Sequence, residues 1–295
     1  MAETPLDLSV LPVLGATIAD THAHLDMLED PATALANAAR AGVGFVVTVV
    51  DPTEKPERTF GELGAWEAEA QRLVVEASSS AETTDSARAP DVRIIIGAHP
   101  HNAKDFTFEA AQKLRALATD ELVVGIGEIG LDYHYDYSPR DVQRRVFAEQ
   151  LEIARQLGLP AVVHLREAHD DGEAVLRDVG LPAAGCVLHC FTGDAALLER
   201  FLEMGCYVSF AGPVTFRKAD AIREAAALVP LDRLLVETDC PFMAPEPFRG
   251  RKNEPALTVL TALRIAGVRN DVPEDFARAT YETSRRLFTG ARASV

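Results

Sequence analysis

Seven of the eight histidines in this chain, at 22, 24, 99, 101, 134, 164 and 189, fall at or beside the ends of short apolar runs. Glu128, Glu237 and Asp239 are placed in the same way. His22 and His24 follow the run 16–19, and in extended backbone residues i and i+2 share a face, so the two rings can hold one ion between them. A carboxylate following a run such as Leu122 to Ile126 is costly to bury unpaired, and no Lys or Arg lies near Glu128 in sequence, so it needs a cation. Asp239, after Leu234-Leu235-Val236, repeats the argument, and Glu237 shares its face. Imidazoles and carboxylates without thiolates suit zinc, manganese or a comparable divalent ion, and not a purely structural zinc site. Four histidines and two carboxylates exceed what one open catalytic ion uses. Two divalent metal ions sharing a bridging carboxylate account for all six. Such a pair activates water and clamps both oxygens of an in-line displacement, so hydrolysis of a phosphate ester is the expected chemistry.

Side chains so far apart in sequence meet only if the strand ends that carry them converge. Apolar runs predict strands at Ile18 onward, Gly44–Val50, Arg93–Ala98, Leu122–Gly127, Ala161–Leu165, Gly185–Cys190, Tyr207–Phe210 and Leu234–Glu237. Helical sequence follows each, from the stretch opening at Pro31 to Pro255–Ala266 and Pro273–Phe288. Eight β-α units predict an α/β fold, a single-domain (β/α)8 TIM barrel over 16–295, with chemistry at the C-terminal strand ends. A doubly wound sheet is the competing architecture, but Gly125-Ile126-Gly127-Glu128-Ile129-Gly130 puts a carboxylate where a dinucleotide phosphate would approach. Residues 1–15 read as an irregular lead-in, and 77–90, rich in Ser, Thr, Ala and Asp, as a flexible surface loop.

Charge limits the partner class. With 29 basic and 45 acidic residues the formal net charge is −16, which opposes non-specific coating of nucleic acid or an anionic membrane. Bound divalent ions can still draw a phosphate into a cleft of an acidic protein. Just after the eighth strand, Arg249, Arg251 and Lys252 stand where a barrel enzyme contacts phosphate. Tyr133, Tyr135 and Tyr137 offer faces for stacking a base. The four cysteines show no paired spacing, and neither a leader peptide nor an apolar span stands out; a reduced cytoplasmic protein without a membrane or a stable protein partner is expected.

Six motifs resemble the TatD-like metal-dependent deoxyribonucleases, a barrel group among the amidohydrolase-type hydrolases. They are Asp20-Thr-His-Ala-His-Leu-Asp26, Gly97-Ala-His-Pro-His101, Gly127-Glu-Ile-Gly-Leu-Asp-Tyr133, His189-Cys-Phe-Thr-Gly193, Glu237-Thr-Asp-Cys-Pro241 and Arg249-Gly-Arg-Lys-Asn-Glu-Pro255. The resemblance implies one ion on His22, His24, Glu128 and Asp239 and a second on Glu128, His164 and His189. It further implies that Asp239 helps activate water, that Glu237 supports the site, and that His99 lies near the scissile phosphate, with His101 among the substrate contacts. The implied activity is 3′ to 5′ trimming of DNA, preferably single-stranded or at 3′ ends. The chain departs from the family at Leu165, where a small polar residue usually follows the histidine, and at Cys240-Pro241-Phe242, where Ser-Pro-Tyr is commoner. These differences bear on substrate preference. The rivals are a hydrolase of a non-nucleic ester, lactone, amide or aminoacyl ester on the same fold, and a metal-binding interaction protein with little turnover. A carbamylatable lysine after the fourth strand would favour the usual amidohydrolase type, and Glu128 occupies that place.

Overall fold

The computed structural model describes residues 7–80 and 88–290. Its eight strands are β1 (Ile18–Ala23), β2 (Val43–Val50), β3 (Asp91–Ile96), β4 (Val123–Asp132), β5 (Ala161–Arg166), β6 (Cys186–Leu188), β7 (Tyr207–Phe210) and β8 (Leu234–Val236). They form one sheet in sequence order, every adjacent pair parallel. The ring closes between its ends through a bridge from Ala23 to Cys240. The helices are α1 (Pro31–Arg40), α2 (Pro56–Ser80), α3 (Phe108–Leu117), α4 (Arg140–Leu157), α5 (His169–Val179), α6 (Ala195–Glu203), α7 (Asp220–Leu228), α8 (Thr258–Arg269) and α9 (Pro273–Thr289). This is the (β/α)8 barrel the eight apolar runs demand.

Parallel strands are covered on both faces, and β2 and β4 are accordingly buried along nearly their whole length. Alternation divides them between two cores. Phe45, Val47 and Val49 of β2 fill the barrel interior with Ile95, Val124, Val162, Val187 and Leu235. Val46 and Val50 face outward into the larger core beneath the helices, with Ile94, Ile96, Phe147 and Phe201. Leu287 and Phe288 of α9 join the interior cluster, and Arg285 of the same helix stacks on Phe45 and pairs with Asp91, the first residue of β3. Burying a side chain of this size contributes about 1.5–3 kcal/mol. Local signals place the helix ends: Asp30, Thr107 and Asp194 accept main-chain N–H bonds at the starts of α1, α3 and α6, and Gly158 (φ 64°) ends α4 in the left-handed region.

Several boundaries differ from the sequence expectation by a residue or more, and three of them move named residues between elements. Helix α2 continues to Ser80, because no Gly or Pro interrupts the chain between Gly64 and Pro90. Residues 77–80 of the expected loop are therefore helical in backbone, and 81–87 lie outside the described residues. Strand β6 stops at Leu188, which puts His189 and Cys190 in the loop beyond it. Strand β4 runs on to Asp132, past the glycines that seemed to end it.

Candidate metal centre

The site begins with how the first strand is tied to the last. Asp20, fully buried, accepts hydrogen bonds from Thr238 N (2.8 Å), Thr238 Oγ1 (2.5 Å) and His22 N (3.3 Å). Burial pushes its carboxyl up to about 8, against the lowering effect of those bonds. Beyond this latch the main chains interlace: Asp239 N donates to His22 O (2.9 Å) and His24 N to Cys240 O (2.8 Å). Asp239 adopts φ 57°, and Asn253 holds the turn from below by donating Nδ2 to the carbonyls of Thr238 (2.8 Å) and Phe242 (2.7 Å). The result sets the Asp239 carboxylate beside the two rings of β1.

Glu128 enters from β4 at a shift in the β4–β5 register between Ile126 and Ile129, the kind of irregularity that re-aims a side chain. Glycine is required on either side. A Cβ on Gly127 would stand 2.7 Å from Val162 Cβ, and one on Gly130 (φ 138°) 2.0 Å from His164 O. Past the irregularity, Gly130 pairs with His164 and Asp132 with Arg166.

The Glu128 carboxylate has two faces. Oε2 lies 3.2 Å from His22 Nε2 and 3.8 Å from His24 Nε2. Asp239 Oδ1 completes that side, 3.5 Å from His24 Nε2 and 4.0 Å from His22 Nε2. Oε1 lies 2.8 Å from both His164 Nδ1 and His189 Nε2, which are themselves 3.2 Å apart. The far nitrogens of these last two rings face carboxylates, His164 Nε2 towards Asp132 Oδ2 (3.1 Å) and His189 Nδ1 towards Glu237 Oε1 (3.2 Å). Those contacts require N–H at the far positions, so each ring, when neutral, turns a lone pair onto a carboxylate oxygen that has no proton to donate. The arrangement is repulsive unless positive charge sits among the three atoms.

The titration directions say the same. Burial works against charge on every member, yet Glu128 is held well below the usual carboxylate range by His189, His99 and His22, and His189 is pushed well up by Glu128 and Glu237. His164 is also raised, burial being outweighed by Asp132 and Glu128. A divalent cation supplies that charge without protons, and the donors suit it: imidazole nitrogens and carboxylate oxygens in groups of three that include His22, His24 and Glu128. Cys190, close by, has its thiol pushed well up by burial and then by Asp239.

Other expected site residues are distributed unevenly. His99 Nε2 is 3.3 Å from Glu128 Oε1, while its Nδ1 accepts from His101 N (3.2 Å). The ring therefore carries its proton on Nε2 when neutral and presents a donor to the centre, not a lone pair. His101 gives its Nε2–H to Asp132 Oδ2 (3.1 Å) and sits edge-on to Tyr135 and Tyr137, which stack on each other. Tyr133 is tied down, donating to Asp171 (2.5 Å) beneath the Arg140 guanidinium. His134 points to Glu167 (2.7 Å) at the rim, away from the cluster. In the basic loop Arg249 stacks on Phe216 and Lys252 pairs with Glu29 (2.6 Å), both bearing on the protein itself, and Arg251 is half-buried. Phe242 packs edge-on against His24.

Sequence reasoning attached no role to Asp20, Asn253, Asp132 or Gln143. The first three lie inside motifs whose other residues carry the recognisable ligand chemistry. Gln143 of α4, buried, accepts from Asp132 N (2.8 Å) and donates to Asp132 O (3.1 Å), and no spacing rule announces such a contact. On the same face of the barrel a cavity of about 480 Å³ opens between Asp26, Asp51, Thr53, Glu54, Lys55 and Arg58.

The profile of the TatD related DNase family matches residues 19–289. A curated relative from Bacillus subtilis, the uncharacterized metal-dependent hydrolase YabD, is 44% identical over 193 residues, 65% of this chain and 76% of its own. The 3′-5′ ssDNA/RNA exonuclease TatD of a Pantoea species is 39% identical over 197 residues, 65% of this chain and 76% of its own. Among solved structures, the TatD homologue YjjV of Escherichia coli aligns over 92% of this chain and 98% of its own at 26% identity, with a TM-score of 0.78.

Proposed function

Because this chain belongs to the TatD-related DNase family of metal-dependent hydrolases, we propose that it is a two-metal exonuclease that trims single-stranded DNA from the 3′ end. One observation carries the reading: the two oxygens of Glu128 face two different groups of ligands. His22, His24, Glu128 and Asp239 would hold one ion, and Glu128, His164 and His189 the other. A divalent pair so placed supplies Lewis-acid charge to a phosphodiester and a water made acidic enough to attack near neutral pH.

The protein's own groups do the rest. Asp239, its carboxylate beside His24, is the group we assign to accept the proton of an attacking water. Glu237 accepts from His189 Nδ1 and from Cys190 N (2.6 Å), and so fixes the ring that faces Glu128. His99 Nε2–H, directed at Glu128, is a donor from which a phosphate oxygen held beside the ions would accept as charge builds there. Beyond the centre, the exposed rings of Phe242, Tyr135 and Tyr137 offer platforms for unpaired bases. Arg249, Arg251, Lys252 and His101 lie on loops that a strand leaving the centre would cross.

Support for a nucleic-acid substrate comes from the family profile and from the Pantoea relative, a 3′-5′ ssDNA/RNA exonuclease by name. The test is a substrate panel. With Mg²⁺ or Mn²⁺ the purified protein should shorten a single-stranded oligonucleotide from its 3′ end and stop on chelation. Turnover of carboxyl esters or lactones across a metal panel, with the oligonucleotide left intact, would place it among the non-nucleic hydrolases instead.

A further inference from the structure

We infer that Asp132 is the positioning residue for His164, holding its ring as the Nε2–H tautomer so that Nδ1 remains the lone pair turned to Glu128 and the second ion. The inference rests on the two-ion reading of the centre and concerns a residue to which neither the motif spacing nor the resemblance gave a role.

The Asp132 side chain is fully committed. It is buried, and its Oδ2 accepts from His164 Nε2 and His101 Nε2, each at 3.1 Å. Its Oδ1 accepts from His134 N (3.0 Å) and Tyr135 N (2.8 Å), so the carboxylate cannot rotate without losing bonds on both oxygens. Its main chain is held from both sides by the Gln143 amide, which is itself anchored by donating to Ser138 O (2.8 Å). Asp132 and His164 also belong to adjoining strands in fixed register, Gly130 opposite His164 and Asp132 opposite Arg166.

Comparison within the centre gives the arrangement its meaning. Both rings that stand 2.8 Å from Glu128 Oε1 have a carboxylate behind them, Asp132 for His164 and Glu237 for His189. His22, on the other side, has no partner for its buried Nδ1 among the described residues. A carboxylate behind a ligating imidazole fixes its tautomer and orientation and raises its basicity. The second ion is thus the one whose ligands are preorganised from behind. Because Oδ2 is shared, His101 belongs to the same hydrogen-bonded unit, and its Nε2 is not available to substrate while that unit is intact.

The tautomer can be read directly in the wild-type protein. Long-range proton–nitrogen correlation spectra of metal-free protein, taken at a pH above the raised titration of His164 so that its ring is neutral, should show His164 protonated at Nε2. Protonation at Nδ1 would overturn the inference, with no metal and no substrate involved. The second arm is calorimetric titration of Asp132→Asn with Zn²⁺ alone. One binding step should weaken about 10–100-fold while the other stays within about twofold, because an amide has a single accepting oxygen and cannot accept from the two rings and from His134 N and Tyr135 N at once. Equal affinities in variant and wild type would overturn it, as would a parallel loss in both steps together with a lowered melting temperature, which marks a merely structural role. Failure of the nuclease reading would show in the oligonucleotide assay and leave the tautomer and the titration unaffected.

Discussion

His189 Nε2 stands 2.8 Å from Glu128 Oε1 while its Nδ1 faces Glu237 Oε1 at 3.2 Å. One imidazole is thereby placed between two buried carboxylates, with its orientation fixed by the outer one and its reactive edge given to the inner one. His164 repeats the arrangement against the same Glu128 oxygen. Two rings turned this way need a cation between them, and that requirement governs how the site responds to pH.

Metal uptake is expected to release protons. His164 and His189 are raised above 6.5 in the metal-free chain, burial being outweighed by Glu128 and the outer carboxylates, so a proton must leave each ring before an ion can take its place. Apparent zinc affinity should therefore rise with pH through the raised histidine range and level off above it. Calorimetric titration in buffers of different ionisation enthalpy measures the protons directly. A binding enthalpy independent of buffer would contradict the expectation.

The latch between β1 and the end of β8 carries its own pH signature. Asp20 is raised from 3.8 to about 8 by burial, so the folded chain keeps a proton there that the unfolded chain has already lost. This contribution is complete below pH 3.8 and is lost as pH rises through about 8, with a slope of at most about 1.4 kcal/mol per pH unit. In metal-free protein, Asp20→Asn should thus gain stability relative to wild type as the pH is raised from about 5 to about 9. Denaturant melts across that range check it, and a constant difference would mean that Asp20 is ionised in the fold.

Substitution in the basic loop should separate binding from chemistry. Arg251→Ala is expected to keep the full metal content and kcat while raising KM for an oligonucleotide several-fold, and to make its salt dependence shallower by about one unit of log–log slope. An unchanged KM and slope would show that the guanidinium belongs to the loop's own packing, as Arg249 does on Phe216 and Lys252 with Glu29.

Much of this site was legible in the sequence because a parallel barrel writes its strands as apolar runs and puts chemistry where they end. The positions of His22, His24, His164 and Asp239 follow from that rule alone. What stayed hidden were the residues that aim them. Asp132 lies beyond Gly127 and Gly130, which read as the end of a strand; both are glycine because β4 passes so close to Val162 and His164 that no Cβ fits. Asn253 sits in a loop whose basic neighbours suggested phosphate, yet its amide holds the Asp239 turn. His134 carried the right chemistry at a plausible distance from Glu128 and faces the opposite way, towards Glu167. Side-chain direction past a register shift, and contacts supplied by a covering helix such as that of Gln143, are set by packing and leave no periodic mark.

The central claim is that Glu128 joins both halves of the centre, one oxygen to each. The most direct measurement is metal content of Glu128→Ala and wild type after equilibration with Zn²⁺ and gel filtration, with melting curves to verify that the variant is folded. Wild type should retain two ions per chain, and the folded variant neither, through a loss of about 100-fold or more in affinity at each position. A folded Glu128→Ala protein that keeps both ions would contradict the bridging role and the two-metal mechanism built on it.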